Sequence, residues 1–127
     1  MNSQLTVYKA SAGSGKTFTL AREYMTLVIA NPYSYRTILA VTFTNKATEE
    51  MKTRILSQLY GIAHGLEESH GYLEQIKKAL PHLTQKQIEK NADTALSLLI
   101  HNYNYFRVET IDTFFQSVLR NLARELD

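Results

Sequence analysis

Cysteine is absent from the 127 residues, which excludes a disulfide framework and any thiolate metal site. No apolar run reaches the roughly 18 residues that a membrane-spanning helix needs, so no membrane partner is expected. The N-terminus lacks a basic region followed by an apolar one, and a secretory signal is not predicted. Gly/Ser-rich or Pro-rich linkers, low-complexity tracts and internal repeats are missing as well. The lack of cysteine, of a membrane-spanning run and of a signal predicts a cytoplasmic location. Charge of one sign is also scarce: 14 Lys and Arg stand against 12 Asp and Glu, a net charge of +2. That excess is too small to predict nucleic-acid binding by itself, so such a reading has to come from named residues. What remains is a composition 44% hydrophobic and 20% charged, ordinary for one globular domain with a real core.

The most informative stretch lies near the start. A β-prone run containing Leu5, Val7 and Tyr8 stops at Ala10. Five small residues follow, Ser11, Ala12, Gly13, Ser14 and Gly15, and then Lys16 and Thr17 open a long apolar helix pattern. Strand, small-residue loop and helix in that order form the context of a phosphate-binding loop. Glycines let backbone N–H groups turn inward around phosphates, and the helix N-terminus adds unpaired donors and a partial positive charge. Lys16 is placed to reach the β- and γ-phosphates, and the Thr17 hydroxyl to hold Mg²⁺. Ala10 stands where the strict pattern has its first glycine.

The helix predicted over about 17–30 is apolar around more than half its circumference, as a helix laid on a sheet should be. Asn31-Pro32 stops it. The run TILAVTF at 37–43 then reads as a buried parallel strand, giving a right-handed βαβ unit. Asn45 or Thr48 is the expected cap of the next helix, whose apolar positions are Met51, Ile55, Leu59 and Ile62. Two further helices are predicted between about 67 and 102. One carries a stripe of Tyr72, Leu73, Ile76, Ala79 and Leu80, the other Ile88, Ala92, Ala95, Leu96, Leu99 and Tyr103. A third strand is expected over 106–110. A last helix over 112–126 follows, with Phe115, Val118, Leu119, Leu122 and Leu126 as its apolar face. His64, His70, His82 and His101 lack metal-ligand spacing and are expected at the surface.

Two polar clusters recur where strands end. Thr42, Phe43, Thr44, Asn45 and Lys46 follow the second strand; Thr110, Asp112, Thr113 and Phe114 follow the third. In an open α/β sheet that carboxyl edge is where ligands bind, and short polar side chains with helix N-terminal amides are common donors to nucleic-acid phosphates. Each cluster, taken alone, is equally a set of helix caps over a core aromatic.

Taken together, AGSGKT, VTFTNKATEEMKTRI and TIDTFFQSVLR, in that order, closely resemble the opening of the UvrD/Rep-like superfamily-one helicases. The long helical gap between the second and third segments is most similar to the RecB/AddA branch. The resemblance implies an α/β fold: a partial RecA-like P-loop NTPase parallel sheet with flanking helices and a helical insertion at 63–103. The cofactors implied are ATP and Mg²⁺, and the partners are single-stranded or duplex DNA and the remaining helicase domains. On the matching positions, Gly13, Gly15, Lys16 and Thr17 belong to the phosphate and Mg²⁺ loop. Thr42, Phe43, Thr44, Asn45 and Lys46 lie along single-stranded DNA, and Thr110 and Phe114 contact it further on. Asp112 stands where the family usually has His, and an acid there suits a helix cap rather than a phosphate contact. Gln4, just upstream of the first strand, is a candidate adenine-reading glutamine.

Family members continue with an acidic D-E pair and with arginines from a second RecA-like domain. Only fourteen residues follow Thr113, without those parts. The expectation is therefore an N-terminal piece of a longer helicase, itself inactive, with residues 1–127 forming the first part of the ATP-binding motor domain. Glu49-Glu50 is read as a solvated face. The competing readings are a small P-loop phosphotransferase, which would need its own catalytic acid or lid arginines, and a self-contained P-loop nucleotide-binding module.

Overall fold

A computed structural model describes residues 4–7 and 14–126. Three strands, β1 (Gln4–Val7), β2 (Ile38–Thr42) and β3 (Arg107–Thr110), form a parallel sheet in that spatial order. The register pairs Val7 with Val41 and Thr42 with Thr110, so the three strands end nearly level at their carboxyl edge. All five residues of β2 are buried, as expected of a central parallel strand.

Among the described residues five helices accompany the sheet: α1 (Ser14–Ala30), α2 (Asn45–Ala63), α3 (His70–Ala79), α4 (Gln85–His101) and α5 (Ile111–Leu126). Short 3₁₀ turns at Pro32–Thr37, Glu67–Ser69 and Tyr103–Tyr105 join them. One continuous core unites Leu20, Met25 and Val28 of α1 with Ile55 and Leu59 of α2, Ile76 of α3 and Leu99 of α4. Burial of these apolar side chains is the main force holding the four helices together. Gly61 is needed where α2 meets the Glu67–Ser69 turn: a Cβ there would overlap Ser69 Oγ and lie 2.9 Å from Ser69 Cβ.

Several expectations need correction. The cap of α2 is Thr44, in place of Asn45 or Thr48; its backbone is extended and its Oγ accepts from the Ala47 N–H at 3.0 Å. Asn45 already lies inside the helix, and Thr48 is buried on its inner face. Gln4 sits within β1, paired with Ile38, and not upstream of the strand. Tyr103 leaves the α4 stripe, because the helix ends at His101 and the following 3₁₀ turn leaves Tyr103 half exposed. The apolar face of α5 lies where the sequence puts it but is uncovered: none of the described residues of α5 is buried. All four histidines are exposed, as expected. Among the described residues no helix is long and apolar enough to cross a membrane.

Tyr24, on α1, packs its ring 5.5 Å from Phe106 and is almost fully enclosed. Burial pushes its phenol well above the ordinary tyrosine range. The unfolded chain ionises this group near pH 10 while the folded chain keeps its proton, so the folded state binds more protons above that pH. Stability should therefore be insensitive to this group below about pH 9 and fall above about pH 10, by up to about 1.4 kcal/mol per pH unit. Denaturant melts from pH 8 to 11 on the wild type and on Tyr24→Phe check this. The variant should show a shallower alkaline decline, and identical slopes would refute the assignment.

Candidate functional site

The carboxyl edge of the sheet gathers the starts of three helices. Helix α1 begins at Ser14 beyond the end of β1, α2 begins at Asn45 after β2, and α5 begins at Ile111 directly after β3. Each N-terminus carries unsatisfied N–H groups and the positive end of its dipole. The first turns of α1 and α2 contain no acidic residue, whereas that of α5 contains Asp112. This edge is thus suited to anions, mostly around α1 and α2.

Of the expected phosphate loop, Ser11, Ala12 and Gly13 lie outside the described residues, and Ser14 and Gly15 form the first positions of α1. That helix starts three residues earlier than the sequence pattern implied. Lys16 is exposed in its first turn and Thr17 is half-buried. The next residue, Phe18, stacks on Tyr72 of α3 with ring centroids 4.1 Å apart and planes 15° from parallel. Tyr72 in turn accepts a long hydrogen bond from Arg54 Nη1 on α2, at 3.4 Å. The start of α1 is therefore braced by two other helices, a support that sequence reasoning missed. The same Arg54 and Tyr72 line an open cleft of about 520 Å³ beside Glu49, Glu50 and Gln58.

After β2 the residues divide by burial. Thr42 is only 1% exposed, and its hydroxyl lies 2.6 Å from Thr48 Oγ. This buried pair ties the end of β2 to the second turn of α2. Phe43 is 43% exposed, and Thr44, Asn45 and Lys46 are exposed along the edge. Hence Thr42 orients the turn from inside, while the next four residues present their side chains outward.

After β3, Thr110 takes the capping role expected of Asp112. Its Oγ accepts from the Thr113 N–H at 3.2 Å and donates to Thr113 Oγ at 3.0 Å. Asp112 is exposed, and Phe114 is half-buried with its ring 6.1 Å from that of Phe115. Because Thr42 and Thr110 are register partners, both polar clusters stand side by side at the edge from which α1 also starts. Among the described residues, no group of three or more His, Cys, Asp or Glu could hold a metal ion.

The family described as the UvrD/REP helicase N-terminal domain matches residues 1–127. Among curated relatives, the RecBCD enzyme subunit RecB of Borreliella burgdorferi is 32% identical over 99% of this chain and 10% of its own length. The ATP-dependent DNA helicase UvrD1 of Mycobacterium leprae is 30% identical over 92% of this chain and 14% of its own. The RecBCD enzyme subunit RecB of Haemophilus influenzae is 38% identical over 44% of this chain and 5% of its own. The chain thus spans a seventh or less of the length of these relatives. No solved structure gave a significant match. With the family matched from end to end, this chain belongs to the UvrD/REP helicase N-terminal domain family.

Proposed function

We propose that the protein carrying this chain is an ATP-dependent DNA helicase or translocase, and that this segment binds ATP·Mg²⁺ and part of a single DNA strand. The observation that carries the reading is the convergence of three helix N-termini and two hydroxyl-rich turns on the carboxyl edge. Ser11 to Thr17 cradle the phosphates, Lys16 faces the β/γ end, and Thr17 supplies the protein oxygen for Mg²⁺. Phe43, Thr44, Asn45 and Lys46 contact the DNA strand directly, with Thr110 and Phe114 continuing the path. Thr42 acts by holding the turn. Residues 63–103, which include α3 and α4, form an insertion in a RecA-like motor domain; the acids and arginines that complete hydrolysis belong to the rest of the protein.

Lys46 separates a DNA contact from a structural role. It is exposed in the first turn of α2. Removing one phosphate contact lowers the slope of log affinity against log salt by about 0.7 for single strands. In the protein carrying this chain, Lys46→Ala should weaken binding to single-stranded oligonucleotides, reduce that slope by about one contact and leave the melt unchanged. Thr44→Ala should weaken binding and also lose about 1 kcal/mol of stability, because it removes the α2 cap as well. Titrations at several salt concentrations, paired with thermal melts, give both readouts. Unchanged affinity and slope in Lys46→Ala would exclude this segment as a DNA contact.

A further inference from the structure

At the opposite edge of the sheet, two segments far apart in the chain are brought side by side. The 3₁₀ turn Pro32–Thr37 runs into the start of β2, and the 3₁₀ turn Tyr103–Tyr105 precedes the start of β3. Since Leu39 of β2 is paired with Arg107 of β3, the two turns meet at the amino edge. Their contact is direct: the Arg36 guanidinium sits 4.5 Å from the centroid of the Tyr105 ring. On the neighbouring side, Lys52 Nζ of α2 lies 5.0 Å from the Tyr103 ring.

The chemistry of this edge is consistent. Tyr33 is 68% exposed, and Tyr103 and Tyr105 are each 46% exposed. Neither residues 30–37 nor residues 97–108 contain an acid, whereas together they supply Arg36 and several asparagines, with Arg107 paired to Glu109. Glu109 lies nearby, but its carboxylate is occupied by Arg107, with Nη2 at 2.8 Å and Nε at 3.0 Å. Exposed rings interleaved with cations and amides are the composition of a base-stacking surface. Rings stack on unpaired bases of any sequence, while the cations follow the phosphates.

We infer that the amino edge, through Tyr33, Arg36, Tyr103 and Tyr105, is a second contact surface for single-stranded DNA. This surface presupposes the proposed helicase function, but it is a face that the phosphate loop and the TFTNK segment do not reach. The five residues of β2 separate the two edges by about 16 Å, so a different stretch of the strand occupies each. An acidic protein would satisfy the cations, yet it would offer nothing flat to the exposed parts of Tyr33, Tyr103 and Tyr105. Duplex DNA would offer phosphates but no unstacked bases.

The test uses the protein carrying this chain and a fluorescently labelled oligo-dT of about 12 nucleotides, within the range one such surface accommodates. Tyr33→Ala and Tyr105→Ala should each weaken binding at least about fivefold. Arg36→Gln should reduce the salt slope by about 0.7. All three positions are exposed or half exposed, so the variants should melt with the wild type. If these variants bind like the wild type while Lys46→Ala does not, the amino-edge surface is refuted and the carboxyl-edge reading stands. The reverse pattern would support the amino edge and remove the other. Absence of oligo-dT binding, or equal competition by duplex DNA or polyglutamate, overturns the inference.

Discussion

Ile55→Ala should destabilise the fold by about 2–5 kcal/mol, whereas Leu119→Ala should change stability by less than about 0.5 kcal/mol. Both residues occupy apolar positions of amphipathic helices, and composition gives no reason to rank them. Their surroundings do. Ile55 is fully enclosed on the inner face of α2, in one core with Met51, Leu59 and Ile62 of its own helix and with α1 and α4. Truncation there removes buried methyl groups and leaves a cavity that rigid helices cannot close. Leu119 is 62% exposed on α5, so alanine removes little that was taken out of water. For a domain whose total stability is about 5–15 kcal/mol, the first loss is a large share and the second is within noise. Urea melts of the two variants decide the matter. A comparable loss from Leu119→Ala would mean that α5 is packed against something in solution.

The same contrast shows what sequence can and cannot reveal here. The TILAVTF run and the apolar stripes of the first four helices announced their elements, because one-sided burial imposes a period that survives in the residues. Helix ends were harder. Thr42, Thr44, Asn45 and Thr48 all offer capping groups within seven residues, and the choice of Thr44 follows from where β2 stops pairing with β3. The capping box at Thr84 and Gln87, in contrast, stands in the sequence as T-x-x-Q before an apolar stripe. Periodicity identified the apolar side of α5 but carries no information about whether that side is covered. Within the candidate site, exposure of Lys46 fits its expected role, while burial of the Thr42 hydroxyl against Thr48 depends on the sheet and was not legible. Nor was the amino-edge surface, since Arg36 and Tyr105 meet only because β2 and β3 are neighbours.

Lys16→Ala should have the largest effect on activity. In the protein carrying this chain, DNA-stimulated ATP hydrolysis should fall by about 10²–10³, the scale seen when one donor to developing charge is removed. Position is the reason. Lys16 stands exposed in the first turn of α1, where the helix dipole already favours phosphate, and its ammonium adds a full charge at the same point. Because Phe18 is held against Tyr72, the turn that presents Lys16 should keep its place when the side chain is cut back. The variant should therefore melt like the wild type in the absence of nucleotide. With ATP·Mg²⁺ at about 100 times the dissociation constant, the wild type should gain about 2.7 kcal/mol by mass action. Lys16→Ala should gain little at the same concentration, and this difference separates lost binding from lost folding. Ile55→Ala should show the opposite pattern: a lowered melt that nucleotide still raises. If Lys16→Ala retains both hydrolysis and the nucleotide-dependent shift, the phosphate site is not at the start of α1.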